Sequence, residues 1–138
     1  MNSLREQLTE QIKKTYGAVP EHLWAKFPNY TVFRRKDNRK WFGIIMDVPR
    51  NKLGLEGDER VDILNVKLSN PFGVGVFVCR PGYFPGYHIS RGNWISILLD
   101  GTVPAEDIYE RLEESYQTTA PKRPAANARN KNGGTKAL

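Results

Sequence analysis

The chain has 138 residues, 39% of them hydrophobic, which suits one domain with its own core. A single cysteine, Cys79, excludes an intramolecular disulfide, and neither a signal-peptide pattern nor an apolar run of membrane-spanning length is present, so we expect a cytoplasmic protein with no membrane contact. The formal charge of +6 is uneven: residues 121–138 carry Lys122, Arg123, Arg129, Lys131 and Lys136 and no acid, whereas residues 1–120 hold 16 basic and 15 acidic side chains. The folded part is therefore near neutral and makes a weak electrostatic footprint for nucleic acid.

Ser3 and Glu6 fit a capping box, Leu4, Leu8, Ile12 and Tyr16 recur at helical spacing, and Gly17 is a natural stop, so the chain opens on a helix. Pro20 to Pro28 follows, where the spacing of Trp24 and Phe27 predicts a helix of one or two turns covering a sheet edge. Tyr30–Lys36 and Lys40–Val48 read as strands joined by a tight turn at Asp37-Asn38-Arg39. The second of these is apolar on both faces, as a central strand should be. Val61–Leu68 is a third strand, with Leu64, Val66 and Leu68 on one face and Asn65 and Lys67 on the other.

Residues 69–84 send conflicting signals. Val74, Val76 and Val78 alternate as in a strand, while Pro71, Gly73, Gly75, Pro81 and Gly82 interrupt any regular helix. Cys79 lies in the apolar run Val76–Cys79 and reads as a buried, inert thiol. Trp94–Leu99 is a strand with Ile95, Ile97 and Leu99 on one face and Trp94 and Ser96 on the other. Thr102 is placed to cap a last helix, whose apolar stripe is Ile108, Leu112 and Tyr116 with Ser115 beside it. Residues 119–138 read as a basic, disordered tail.

Four motifs in this order resemble the MmcQ/YjbR family of small bacterial proteins: Val32-Phe33-Arg34 with Lys40-Trp41-Phe42; Val61–Lys67; Pro85-Gly86-Tyr87-His88 with Asn93-Trp94-Ile95 and Leu99-Asp100-Gly101; and Ser115-Tyr116. The resemblance implies an α+β fold over residues 1–118, with an antiparallel sheet of about five strands and the N- and C-terminal helices on one face. It also implies a CyaY-like or double-wing arrangement, a shape that has been linked to DNA binding. Two places depart from the family pattern. Pro71-Phe72-Gly73-Val74-Gly75 stands where the family places a helix, so at most a short or distorted one is expected. Ser90-Arg91-Gly92 replaces the usual Asn-Lys pair.

Candidate binding residues come from two places. Arg34, Arg35, Lys36, Arg39 and Lys40 cluster at the first hairpin, where a wing would need positive charge. Lys67, Tyr87, His88, Arg91 and Trp94 gather around a sheet face that the alternation leaves open, where an aromatic ring could stack on a base. The first expectation is thus a DNA-binding module. The alternative is a protein- or small-ligand-binding domain whose pocket has Trp94, Tyr87 and His88 on its wall. An enzyme is not expected: no metal-ligand spacing, phosphate loop or acid–base pair is visible, and Asp100 is the nearest carboxylate that could orient His88. No catalytic residue, metal or cofactor is assigned, and a monomer is expected.

Overall fold

The computed structural model describes residues 3–89 and 92–122. Helix α1 runs over Leu4–Tyr16, and both hydrogen bonds of its capping box form: Ser3 Oγ accepts from the Glu6 amide and the Glu6 carboxylate accepts from the Ser3 amide. Gly17 ends it in the left-handed region at φ 67°. Strands β1 (Thr31–Arg34), β2 (Trp41–Pro49) and β3 (Arg60–Lys67) follow, with a 3-10 turn over Arg50–Leu53 between β2 and β3. Then come the short helix α2 (Phe72–Phe77), strands β4 (Tyr83–Pro85) and β5 (Trp94–Leu98), and helix α3 (Ala105–Thr118). All strand pairs are antiparallel, in the order β1-β2-β3-β5-β4, and the result is one α+β domain.

Both faces of this sheet are apolar. On one, Phe42, Ile45, Leu64, Val66, Ile95 and Ile97 meet Leu8 and Ile12 of α1 and Ile108 and Leu112 of α3. On the other, Val32, Ile44, Met46, Val48, Ile63 and Leu98 form a second buried cluster with Tyr30. No described helix contributes a buried residue to that second cluster; Trp24, Trp41, Tyr87, Ile89 and Trp94 pack against it instead.

One irregularity allocates residues between the two faces. Phe33 pairs with Gly43 and Arg34 with Trp41, so β2 has an extra residue at Phe42, a β-bulge. Phe42 and Gly43 consequently both face the helices, as shown by the Leu112 and Leu64 methyls that a Gly43 Cβ would meet. Trp41 is turned to the opposite face. The ladder with β3 stops there at Ile44–Asn65. Ser115 of α3 closes the gap: its hydroxyl accepts from the Lys67 amide at 2.9 Å and donates to the Phe42 carbonyl at 2.6 Å. Helix α3 is thereby tied to the backbone of two strands as well as to their side chains.

Several local expectations change. Residues 69–84 hold the six-residue helix α2 and the edge strand β4, in line with the short helix the sequence allows. Cys79 is exposed: it follows the end of α2, whose Phe72 and Val76 also face solvent while Val74 and Phe77 pack on the core. Thr102 does not cap α3. Its amide and hydroxyl both bond the Asp100 carboxylate, Pro104 occupies the cap position, and Glu106 and Asp107 face the positive end of the helix dipole. Pro20–Pro28 forms turns rather than a helix; Glu21 makes a β-bridge with Val32 that commits the segment to the edge of β1. Of the expected tail, residues 123–138 lie outside the described residues.

Replacing Ser115 by Ala strands the buried Lys67 amide. We expect Ser115→Ala to lower the unfolding free energy by about 1–3 kcal/mol with an unchanged slope in urea titration.

Candidate functional site

The Tyr87-His88 turn owes its shape to a glycine and a buried polar chain. A Cβ on Gly86 would fall on the Ile89 carbonyl oxygen and 3.0 Å from the Trp94 Cβ, so only glycine permits the approach of this turn to β5. Asn65 of β3 and Ser96 of β5 face each other across the sheet and are fully buried. Ser96 Oγ donates to Asn65 Oδ1 and accepts from the Tyr87 amide at 2.9 Å. Asn65 Nδ2 in turn reaches the Met46 sulfur at 3.4 Å and the Tyr87 carbonyl at 3.5 Å. This chain pins the turn to the second sheet face. At its far corner His88 is held at φ 58°, a left-handed conformation that costs a histidine roughly 1 kcal/mol relative to glycine. The imidazole packs edge-on against the Tyr87 ring, 4.1 Å between centroids, and stays exposed.

Beside His88 the second face opens into a cavity of about 360 Å³. Its walls are the rings of Trp24, Phe27, Tyr30 and Trp41; Ile44 and Met46 form the floor, and His88 and Ile89 the rim. Trp24 stands nearly perpendicular to both Trp41 (88°) and Tyr30 (77°), while Phe27 stacks on Tyr30 at 14°, which gives the cavity its box shape. Burial pushes the Tyr30 hydroxyl above the ordinary tyrosine range. A larger cleft of about 550 Å³ lies between α1 and residues 20–31, and several of its polar side chains are engaged in the fold. Arg5 there bonds Asp62 and Thr31, and Glu6 serves the α1 cap.

The charges around the aromatic cavity are largely paired. Glu21 receives Arg34 at 3.3 Å and Arg39 at 3.1 Å, and the Arg34 guanidinium sits 5.8 Å from the Trp41 ring centre. Asp47 is held by Arg60 at 3.0 Å and Asn29 at 3.2 Å. Partial burial works to raise its carboxyl, but these hydrogen bonds outweigh it and hold the group below the usual range.

The predicted site residues separate accordingly. Arg35 is buried, not displayed: it bonds Asp37 through two nitrogens and the Tyr116 carbonyl, and lies 3.8 Å above the Tyr116 ring. Its hydrogen bonds keep the Asp37 carboxyl below the ordinary range. The hairpin sits against the end of α3, where Asn38 Nδ2 also donates to the Thr119 carbonyl at 2.8 Å. Lys36, Arg39 and Lys40 remain exposed at the hairpin, and Arg34 is partly covered by its ion pair. Lys67 and Trp94 are cross-strand partners and half-buried at the end of the β3–β5 ladder, while Asn65 and Ser96 farther in are fully buried, so the face expected to be open is covered. His88 alone of the proposed pocket wall lines the cavity; Tyr87 and Trp94 pack beneath the turn in the same apolar cluster. Arg91 lies outside the described residues. Asp100 bonds Thr102 and pairs with Arg50, so its carboxylate is engaged away from the turn. The aromatic walls were not picked out from the sequence. The only signal was the density of large rings at Trp24, Phe27, Tyr30 and Trp41, which core packing explains equally well.

The model of the YjbR family matches residues 13–118. The chain belongs to the YjbR family. Uncharacterized protein YyaQ of Bacillus subtilis is 40% identical over 119 residues, spanning 83% of this chain and 97% of that protein. A Pseudomonas syringae protein solved by crystallography superposes with a TM-score of 0.81 at 42% identity, over 87% of this chain and all of that one. A solution structure from the same organism gives 0.78 at 39% identity, over 92% and 99% of the two chains. A Deinococcus radiodurans protein shares the fold alone, with a TM-score of 0.60 at 21% identity over 84% of this chain and 77% of that one. The Tyr87-His88 turn and the Ser115 bridge of this YjbR domain both fall within the matched range.

Ser96→Ala removes the hydroxyl that receives the Tyr87 amide. It is expected to cost about 1–3 kcal/mol in chemical denaturation and to loosen the turn, seen as faster amide exchange at Tyr87 and Ile89. Arg35→Met should likewise lower stability, by about 1 kcal/mol or more in the same denaturation measurement.

Proposed function

We propose that this YjbR domain is a non-catalytic ligand-binding module that takes a small, flat, apolar ligand in the aromatic cavity on the second face of its sheet. The observation that carries this reading is the box of Trp24, Phe27, Tyr30 and Trp41 over an apolar floor, with a volume of about 360 Å³, inside the range of small-molecule sites. Rings in edge-to-face contact meet at corners, and a planar group can lie against the faces they leave toward the cavity. Ring stacking and displacement of water from an apolar surface supply the affinity. The non-catalytic part of the reading rests on the engagement of the neighbouring carboxylates Glu21 and Asp47, both committed to arginines, and on Asp100 being held away from the turn by Thr102 and Arg50. Among the described residues no helix is long and apolar enough to cross a membrane, and a cytoplasmic, monomeric protein is the setting we infer.

A second reading, DNA binding of double-wing type, draws on the exposed Lys36, Arg39 and Lys40 at the β1–β2 hairpin. It requires binding to a duplex that weakens with salt and persists in a chain ending at residue 122, since phosphate contacts release counterions. Binding lost with residues 123–138 would assign the affinity to the basic tail.

The pocket reading is tested with 2-naphthalenemethanol, a neutral bicyclic probe of suitable size. We expect nitrogen–proton NMR shifts at the Trp24 and Trp41 indoles, and binding weakened about tenfold or more in Trp24→Ala. Shifts scattered over the surface, or binding indifferent to Trp24→Ala, would falsify the pocket.

A further inference from the structure

His88 is a residue in the wrong backbone state for its type. The turn Gly86–Ile89 needs a left-handed residue at its third position, where glycine fits without strain. A histidine stands there instead, and its ring packs on Tyr87 rather than filling the core. Its backbone neighbours are fixed by the buried Asn65–Ser96 chain, so the strain is maintained by a built support. Strain of this kind, held by surrounding structure, marks a side chain wanted for itself. His88 brings an imidazole to the rim, beside Ile89 and above walls whose polar groups are the Tyr30 hydroxyl and the Trp24 and Trp41 indole N–H.

The surrounding charges say what that group meets. Arg34 and Arg39 share the single carboxylate of Glu21, so this triad beside Trp41 keeps one positive charge in excess. Arg39 is 59% exposed in its side chain and turned to solvent. Asp47 is balanced by Arg60. A cationic ligand would find both neighbouring carboxylates occupied, whereas an anion would find a surplus arginine and an imidazole donor. We propose that the cavity selects a planar aromatic carboxylate, its ring system lying against the walls made by Trp24 and Trp41 and its carboxylate accepting the His88 N–H at the rim. This rests on the pocket reading above and adds to it the polar end of the ligand and the residue that selects it.

Three probes of one shape separate the two ideas: 2-naphthoate, 2-naphthalenemethanol and (2-naphthylmethyl)trimethylammonium, titrated by calorimetry against the full chain. The expected order is carboxylate tightest, by about tenfold over the alcohol, with the ammonium weakest. His88→Gly should relieve the turn and raise the melting temperature by about 2–5 °C while cutting 2-naphthoate affinity about tenfold and leaving the alcohol unchanged. His88→Asn, which accepts the left-handed state and keeps an N–H donor, should restore part of the carboxylate preference. A purely structural histidine shares the stabilisation but predicts that His88→Gly leaves the binding of all three probes unaltered, which would overturn the assignment. Equal affinity for the three probes with intact Trp24 dependence overturns the carboxylate assignment and leaves the pocket standing. No binding of any probe overturns both.

Discussion

A sheet that is apolar on both faces must be covered twice, and among the described residues the α-helices α1 and α3 cover only one side. Helices α1 and α3 together close the face built on Leu64, Val66, Ile95 and Ile97. The opposite face, with Ile44, Met46, Ile63 and Leu98, is just as buried. Leaving it to water would forfeit roughly 25 cal/mol for each Å² of apolar area. The cover is made from irregular segments: Trp24 and Tyr30 before β1, and Tyr87, Ile89 and Trp94 around β5. Large rings serve here because a loop without periodicity offers few side chains per length, so each must screen much area. Rings from separate segments do not tile a flat face completely, and the cavity is the part they leave.

Two devices decide which residues belong to which side. The bulge at Phe42 lets two successive residues of β2 face the helices, which moves Trp41 to the other face and sets it against Trp24. The bulge also interrupts the β2–β3 ladder, and the Ser115 hydroxyl replaces the missing link. Phe42, freed toward the helices, meets Tyr16 and Tyr116 edge-on, and the Tyr16 hydroxyl bonds Glu113 at 2.6 Å. Burial first, and the carboxylate next to it, push the Tyr16 hydroxyl well above its ordinary range. The same irregularity therefore builds the cavity wall on one side and the helix contact on the other.

Much of the fold was legible because its signals are local. The α1 capping box, the alternation of β3 and β5 and the Ile108–Leu112–Tyr116 stripe all report on neighbours within a few residues, and each stands as read. Cys79, Thr102 and the Pro20–Pro28 segment were misjudged where two local signals compete. Apolar neighbours suggested burial for Cys79, but α2 is too short to bury more than one side. A threonine near a helix start suggested a cap, but α3 begins at Ala105 with Pro104 in the cap position, and Thr102, two residues earlier, donates back to Asp100 instead. Basic residues at the hairpin suggested a charged display, but Glu21 and the Tyr116 carbonyl, remote in sequence, absorb three of the arginines.

By itself the sequence determined the order of elements, the face of most strand residues, the family signature and the near-neutral charge of the domain, because hydrophobic period, capping and composition act over short range. Only the tertiary structure decided that the second face is closed, that Arg35 points inward and that His88 is held left-handed beside an aromatic box. Those outcomes depend on a one-residue bulge and on contacts between segments far apart in the chain. A shift of one residue in strand phase exchanges the two faces of everything beyond it, so no reading of period alone could place Trp41 and His88 at the same cavity.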